Sequence, residues 1–507
     1  MLLKDYYPKL NKKYSRIKFE GIAFNSKLVK KNYIFFAIKG NNIDGNKFVK
    51  DAIKKGSKII ISEKFNERLN GDILYIKNKN PRKLLSEFAV KLNSKRPNNL
   101  IAVTGTNGKS SIANFYYQIL KINKIKVSSI GTLGVEGIKL KKKISNTTFD
   151  PLKINQYLKI LKNKKVENVI LEATSHGLKQ HRLDGLKFNI GIFTNLSRDH
   201  LDYHKTYKDY FNSKLILFKR LMKKNSHIIF DNDLKISSRL KKISLSNNIN
   251  NLSLGNKNSN LKIIDHKFLN LSQKVTFSLN NNTYNFSTEL IGRIQIKNLL
   301  MSILAAYKSN LKLNKILKSI KKIKSVPGRF EKIGNLKNNS IVILDYAHTP
   351  DALETCLKNI KEQFNLRKIN IVFGCGGERD KPKRKTMGKI ANKYCNKIYL
   401  TDDNPRNEDP DEIRNEIKKN IRKSKLFEIP SRKLAIKTAI NNTKSEDILV
   451  VAGRGHEIFQ TYKEKKYFSD RVCIIKSIKE KNYQLSQSWK TNIIEEVLGN
   501  KLKGKIV

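Results

Sequence analysis

Short runs of β-branched and other apolar residues alternate with amphipathic stretches along the whole chain, a pattern that predicts α/β layers with mostly parallel sheets. "NLIAV" reads as a strand that delivers "TGTNGKSS" (Thr104 to Ser111), and "SSIANFYYQILK" as the helix that follows. "VENVILEATSHG" predicts a strand ending near Glu172, and "FNIGIFTNLSRDH" one ending near Asn195. "SIVILDYAHTPDAL", "INIVFGCGGERD", "NKIYLTDDNPR" and "DILVVAGRGHE" repeat the design, each apolar run bringing Gly, charged or His residues to its carboxyl end. In open parallel sheets ligands bind outside the carboxyl ends of strands, where helix N-termini also aim N–H groups at anions. Seven such ends in one chain mark sites rather than punctuation.

Boundaries are softer. "LNSKRPNNL" (Leu92 to Leu100) reads as a linker, and "VPGRFEKIGN", from Val326, as a second boundary. These predict domains at 1–97, 98–330 and 331–507. The segment from Lys223 to Asn282 is rich in Asn, Lys and Ser, with weak strand patterns. It reads as a less regular insert of the central domain, and no internal repeat is found.

Composition narrows the class. A chain of 507 residues has room for about three domains. No apolar run reaches eighteen residues and the N-terminus has no h-region, which predicts a cytoplasmic protein. Cys356, Cys375, Cys395 and Cys473 are widely spaced, which argues for reduced thiols rather than a zinc site or a disulfide framework. The formal net charge of +60 invites a nucleic-acid reading. Its lysines, however, run through the whole chain beside Asn and Ile, with no basic tail and no aromatic stacking platform. Drift of surface positions toward Lys and Asn explains the charge more simply. Against that background, six of the eight histidines (His176, His181, His200, His204, His348, His456) fall in the polar strand-end segments.

The loop after "NLIAV" departs from the common phosphate-loop pattern, because Val103 stands where a glycine is usual and the nearer glycine is Gly105. Its context still suits a phosphate cradle: backbone amides around the phosphates, Lys109 as a point charge, and a Ser110 hydroxyl for a Mg²⁺ shell. Glu172 is the carboxylate expected beside such an ion, and His200 a further ligand, the plain alternative being a helix-capping turn. Lys214, in "YFNSKLILF", reads in isolation as a snorkelling surface lysine.

The ordered series "GTNGKSS", "NTT", "EATSHGLKQHRL", "TNLSRDHLDYHKTY", "VPGRFE", "DYAHTPDAL", "GCGGERDKPKR", "DNPR" and "GRGHE" resembles the Mur ligases of peptidoglycan synthesis, from about Phe24 to Asp470. The resemblance implies a three-domain α/β architecture, with a central P-loop-type mononucleotide-binding domain and a C-terminal Rossmann-like domain. It also implies an ATP-dependent enzyme that joins an amino acid to a UDP-sugar-peptide through an acyl phosphate. By resemblance, Gly105, Thr106, Asn107, Gly108, Lys109 and Ser110 hold the ATP phosphates, with Asn298, Arg329 and Asp345 completing the nucleotide site. Ser110 and Glu172 would ligate one Mg²⁺, while His200 and Lys214 would serve a second. Lys214 would act as a carbamate formed from CO2 or bicarbonate. Lys109, Glu172, His200 and Lys214 are thus the implied catalytic set. Ser26, the "GNNIDG" loop (Gly40 to Gly45), Asn146, Thr147, Thr148, Thr174, Gln180 and Arg182 match contacts to the UDP-sugar-peptide. Two departures stand out: Lys27 replaces a usual Arg, and Ile294-Gln295 stand where Phe-Asn is usual.

"DNPR" is the form found in the branch that adds diaminopimelate, so Arg379, Asp403, Asn404, Pro405, Arg406, Gly453 and Glu457 are the implied amino-acid contacts. Its bland reading is a helix-start turn with proline at the first position, and both readings can hold together. Three alternatives stay open here: a lysine-adding or folylpolyglutamate-synthase-like relative, a basic nucleic-acid-binding ATPase, and a drifted chain that no longer turns over. The partners implied are small molecules, with a monomeric enzyme and neither nucleic acid nor membrane insertion.

Overall fold

A computed structural model describes residues 1–8, 10–40, 43–137 and 146–503. The chain forms two compact units. One comprises Met1–Leu196, His204–Asn260 and Met301–Ile316, and the other Ser197–Tyr203, Leu261–Leu300 and Leu317–Val507.

The first unit opens with a small sheet of β1 (Gly21–Ala23), β2 (Tyr33–Phe36), β3 (Ile59–Ser62), β4 (Arg68–Asn70) and β5 (Ile73–Lys77), ordered β1-β2-β3-β5-β4. All neighbours are parallel except β4 and β5. The next strands are β6 (Asn99–Thr104), β7 (Val127–Gly131), β8 (Gly134–Glu136), β9 (Asn168–Glu172), β10 (Phe188–Phe193), β11 (Met222–Asp231) and β12 (Asn250–Gly255). Within this unit they lie in the order β12-β11-β10-β6-β9-β7-β8. β6 sits between β9 and β10 and is parallel to both. The chain leaves β6 toward β7 and later crosses back to β10, so the topological switch falls beside β6, where such sheets open a ligand crevice.

The second unit begins with an antiparallel meander of β13 (Leu261–Leu269), β14 (Ser272–Leu279) and β15 (Asn282–Thr288). Along β14, Gln273, Val275, Phe277 and Leu279 are buried in strict alternation, as expected of a sheet with one covered face. A six-stranded sheet follows: β16 (Glu331–Asn335), β17 (Ile341–Asp345), β18 (Ile369–Phe373), β19 (Lys397–Leu400), β20 (Leu426–Glu428) and β21 (Ile448–Ala452). Its order is β16-β17-β21-β18-β19-β20, and only β16 runs antiparallel. "IVILD", "INIVF" and "ILVVA" are buried at every position, because helices cover both faces of a parallel sheet. Insertion of β21 between β17 and β18 sets this unit's switch point at their carboxyl ends. A hairpin, β22 (Phe459–Tyr462) and β23 (Glu464–Tyr467), comes next. The helix Asp470–Lys503 ends the described chain.

The sequence predicts an irregular segment from Lys223 to Asn282, and the structure corrects this: it holds β11 to β14 and the helix Ser237–Ser246. Asn248, Asn258, Asn270, Asn280 and Asn281 take left-handed backbone angles between 48° and 64° where these elements turn, and Asn225 does so at 58° within β11, where its register with β10 shifts. Asn tolerates that region better than other side chains, so the asparagines that blur the pattern close its turns.

Candidate active site

At the carboxyl end of β6 the chain turns through Gly105 (φ 142°) and Gly108 (φ 87°) into the helix Lys109–Ile122. A Cβ on Gly105 would run into the Thr194 hydroxyl, so this corner admits only glycine. Two residues just past β10 brace the loop. Thr194 Oγ1 donates to the Asn107 carbonyl at 2.6 Å and Asn195 Nδ2 to the same oxygen at 3.1 Å, while the Asn107 amide donates to Asn195 Oδ1 at 2.9 Å. The Lys109 ammonium folds over the loop, donating to Gly105 O at 3.0 Å and Thr106 O at 2.7 Å. With the amides of the first helical turn it makes an edge suited to phosphate.

Glu172 closes this edge. Its Oε2 accepts from Ser110 Oγ at 3.0 Å and from the Thr132 hydroxyl at 3.1 Å, and its Oε1 accepts from the Thr132 amide at 2.8 Å. A fixed carboxylate and a hydroxyl beside a phosphate cradle form a donor set suited to a hard divalent cation. Among the described residues no three His, Cys, Asp or Glu side chains converge. Such an ion would therefore depend on these two groups, on phosphate oxygens and on whatever Lys214 supplies. Lys214 is buried, contrary to its reading in isolation. Its Nζ donates to Gly105 O at 2.7 Å and stands 4.2 Å from the centre of the Tyr210 ring, whose hydroxyl donates to Thr106 Oγ1 at 3.1 Å.

The same unit holds a cavity of about 390 Å³ lined by Phe24, Ile38, Gly40, Arg82, Leu85, Asn146, Asp150, Pro151, Lys153, Gln180 and Arg182. Arg182 donates to Thr148 O at 2.5 Å and to Gln180 Oε1 at 2.7 Å. Thr148 Oγ1 donates to Glu172 O at 2.7 Å and pairs with Thr174 Oγ1 at 3.0 Å. Thr147 Oγ1 meets Thr132 Oγ1 at 3.2 Å. Consecutive hydrogen bonds thus link the cavity to Glu172. Ser26 stands apart from this lining, buried and bonded to the Asp51 carboxylate, whose pKa that bond lowers. Asn41 and Asn42 of the "GNNIDG" loop lie outside the described residues.

In the second unit the carboxyl ends of β17, β18, β19 and β21 surround a cavity of about 300 Å³. Arg379, Asp403, Asn404, Arg406, Gly453 and Glu457 line it, with Arg198, Asp199, His200, Tyr346, His348, Cys375 and Lys383. Its two charge poles have different origins. Arg406 donates to Gly377 O at 2.6 Å and Asn404 O at 3.3 Å. Glu457 accepts from Tyr346 Oη at 3.2 Å and Asn404 Nδ2 at 3.1 Å, with Arg454 Nε 3.9 Å from its Oε2. Burial, then the neighbouring Asp403, raises the Glu457 pKa; burial likewise raises that of Asp403, against the pull of Arg432 and Arg454. Those two arginines share Asp470: Arg432 grips it with bonds of 2.9 and 2.7 Å, and Arg454 donates to it at 3.1 Å.

Comparisons with known proteins accord with this geometry. The model of the Mur ligase family catalytic domain matches residues 18–91, that of the Mur ligase middle domain 103–306, and that of the Mur ligase glutamate ligase domain 328–455. A Rickettsia montanensis protein named UDP-N-acetylmuramoyl-L-alanyl-D-glutamate--2,6-diaminopimelate ligase is 41% identical over 478 residues, 93% of this chain and 98% of its own length. The protein of that name from Rickettsia rickettsii is 41% identical over 468 residues, 91% of this chain and 96% of its own. A solved structure of that name superposes with a TM-score of 0.69 at 28% identity, covering 95% of this chain and 99% of the other. The chain belongs to the Mur ligase family.

It has the α/β fold of that family, and it is an ATP-dependent ligase. The implied site residues of this Mur ligase fall in both units. Gly105 to Ser110, Glu172 and Lys214 share one neighbourhood of the first. His200, Asn298, Arg329 and Asp345 belong to the second. His200 adopts φ 52° and its ring lies 3.4 Å from Asp199 Oδ2. Arg329 stacks 4.4 Å over the Tyr346 ring, and Asp345 accepts from the Phe330 amide at 2.7 Å and the Ala347 amide at 2.9 Å. Asn298 Nδ2 donates to Gln295 Oε1 at 3.1 Å, so the unusual Gln295 supports its neighbour one helical turn on. Pro405 accepts from the Glu408 amide at 3.2 Å.

Sequence reading passed over Thr132, Arg82 and Lys383, and placed Tyr346 only as part of the "DYAHTPD" wall of the nucleotide site. Thr132 follows the strand "VSSIG" at its carboxyl end, a position that could have flagged it. Of the six clustered histidines, two serve the fold: His204 is bonded to Ser175 and Ser213, and His181 to Asp184 and Asn80.

Proposed function

We propose that this Mur ligase joins meso-2,6-diaminopimelate to UDP-N-acetylmuramoyl-L-alanyl-D-glutamate in cytoplasmic peptidoglycan precursor synthesis, acting as a monomer with domains at 1–97, 98–330 and 331–507. The observation that carries the reading is the second-unit cavity, where Arg379 and Arg406 stand with Asp403 and Glu457. Diaminopimelate is lysine with a further carboxylate at its far end. A guanidinium binds that carboxylate in bidentate fashion, and the carboxylate of Glu457 takes the adjacent ammonium. Lysine would leave the guanidinium unpaired.

Gly105 to Ser110 hold the triphosphate, and Arg329, Asn298 and Asp345 bind the rest of ATP. The terminal phosphoryl group passes to the substrate carboxylate, releasing ADP. The amine nitrogen attacks the acyl carbon, loses its proton, and phosphate leaves from the tetrahedral intermediate. Lys109 offsets charge as phosphoryl moves between two anions. Ser110 and Glu172 would hold a Mg²⁺, which supplies further charge neutralisation. An ammonium at Lys214 would repel a second Mg²⁺, whereas N6-carboxylation by CO2, with loss of two protons from the ammonium, would set an anionic carbamate in its place. By family resemblance His200 would serve that second ion together with Lys214. Arg182, Gln180 and Asn146 line the cavity for the UDP-sugar-peptide, with Thr147, Thr148 and Thr174 behind it and Ser26 contributing from the first sheet.

The test is phosphate release with ATP, Mg²⁺, bicarbonate and the UDP-dipeptide, comparing meso-diaminopimelate with L-lysine at equal concentration. Strong preference for diaminopimelate, with the tripeptide product identified by mass, is the expected result. Preference for lysine overturns the reading of Arg406. Release with neither overturns the assignment.

A further inference from the structure

Arg406 occupies the left-handed region, at φ 58°, where a long side chain is rarely found. Its conformation therefore needs outside support. That support comes from the hairpin β22–β23. The Arg406 amide donates to Thr461 O at 3.0 Å, and the Lys463 amide donates to Arg406 O at 2.8 Å, so both main-chain groups of the strained residue are tied to the hairpin.

The hairpin also grips the residues before Arg406. The Gln460 side chain is buried, and its Nε2 donates to Asp402 O at 3.2 Å and Asp403 O at 2.7 Å. The Thr461 amide donates to Asn404 Oδ1 at 2.8 Å, which frees the other end of that amide to donate to Glu457 Oε2 at 3.1 Å. Tyr462 Oη donates to Asp402 Oδ2 at 2.8 Å. One element thus ties down the main chain that carries the guanidinium and the Asn404 amide that meets the carboxylate, and its far strand, β23, is exposed along its length.

We propose that this hairpin is the positioning device for amino-acid selection, and that Gln460, which touches neither pole, is its principal positioning residue. The proposal rests on the reading of the cavity given above. Without the Gln460 amide, two buried carbonyls lose their donor, the loop from Asp402 to Arg406 relaxes, and the guanidinium no longer meets the distal carboxylate in fixed register.

The experiment compares the unaltered chain with Gln460→Met, Tyr462→Phe and Lys465→Ala, measuring kcat and KM for diaminopimelate and L-lysine, together with KM for ATP. Gln460→Met is expected to raise KM for diaminopimelate about tenfold or more and to lower the diaminopimelate-to-lysine ratio of kcat/KM by a similar factor. KM for ATP should stay within about twofold. Tyr462→Phe should move the ratio in the same direction by a few-fold, and carries the test if Gln460→Met fails to fold. Lys465→Ala, on the exposed strand, should leave the ratio unchanged. If the folded Gln460 variant keeps the unaltered ratio, or loses ATP and amino-acid parameters in equal measure, the proposal is overturned. Failure of the unaltered chain to prefer diaminopimelate is a separate result and overturns the underlying reading instead.

Discussion

The phosphate loop of the first unit and the charged cavity of the second both sit at the carboxyl ends of parallel strands, but they are made of different material. The loop is mainly backbone: its shape follows from two glycines, a helix N-terminus and the side chains of Thr194 and Asn195 beneath it. The cavity is mainly side chains delivered from four strand ends, and its charges are set by second-rank contacts such as Tyr346 to Glu457 and Arg432 to Asp470. A backbone cradle is generic and recognises any phosphate chain, whereas a cavity of placed charges discriminates between ligands that differ by a single carboxylate.

The sharpest way to break this comparison is to remove charge from the generic side. Lys109→Met or Glu172→Gln should lower phosphate release by about 10³-fold, while calorimetric binding of diaminopimelate to the folded variant stays near that of the unaltered chain. Parallel loss of amino-acid binding would show that the two sites do not work separately. Next comes Arg406→Ala, expected to cost about 100-fold in kcat/KM for diaminopimelate with KM for ATP unchanged; an equal effect on both substrates would deny its selective role.

Titration sharpens the contrast further. Half-buried His348 and His456 are each lowered to about 4, chiefly by desolvation, so both are neutral in the folded chain at neutral pH. Their contribution to stability is full above the ordinary histidine pKa and is lost as pH falls from about 6.5 toward 4. Asp345, Asp403 and Glu457 are raised, so they act with the opposite sign, favouring the fold as pH drops through their raised values. Thermal melts of His456→Gln should therefore fall less steeply on acidification than those of the unaltered chain. An unchanged slope would mean that this ring contributes nothing. In kinetics, amino-acid capture needs ionised Glu457, so the acid limb of kcat/KM for diaminopimelate should lie above the usual glutamate range. Tyr346→Phe, which removes a hydrogen bond that favours the ionised form, should move it higher. The smallest effect expected is from Gln295→Ala, a few-fold rise in KM for ATP through loss of the bond to Asn298; an ordinary KM would free Asn298 from any need of that support.

Legibility in the sequence follows the same division. Strand-end chemistry was readable because an apolar run followed by Gly, charge and His is local, and the roles of "GTNGKS", "DNPR" and "GRGHE" came from their resemblance to the Mur ligases. The parallel sheets were readable for the same reason, since "IVILD" and "ILVVA" are unbroken. What spacing could not reveal was long-range support. Thr132 reaches Glu172 across 40 positions and Gln460 reaches Asp403 across 57, so neither announces itself locally. Lys214 was misread in isolation because an apolar neighbourhood suits a snorkelling lysine and a buried one equally. The stretch from Lys223 to Asn282 reads as less regular than it is because its Asn, Lys and Ser weaken the strand pattern, whereas several of those asparagines close turns in the left-handed region.

Asp470 has a consequence for biosynthesis. It opens the last helix, and until it arrives Arg432 and Arg454 lack the carboxylate to which both of them hydrogen-bond. Two guanidinium groups cannot be buried behind Asp403 without that counter-charge, since breaking such a buried pair costs about 3–5 kcal/mol. As the chain emerges from the ribosome, the strands and the "DNPR" and "GRGHE" segments are all made before this residue, yet the cavity they form cannot settle. A polypeptide released before position 470 would hold nearly every residue named for the reaction and still fail to assemble the amino-acid site. The arrival of Asp470 is thereby written into the electrostatics of the cavity.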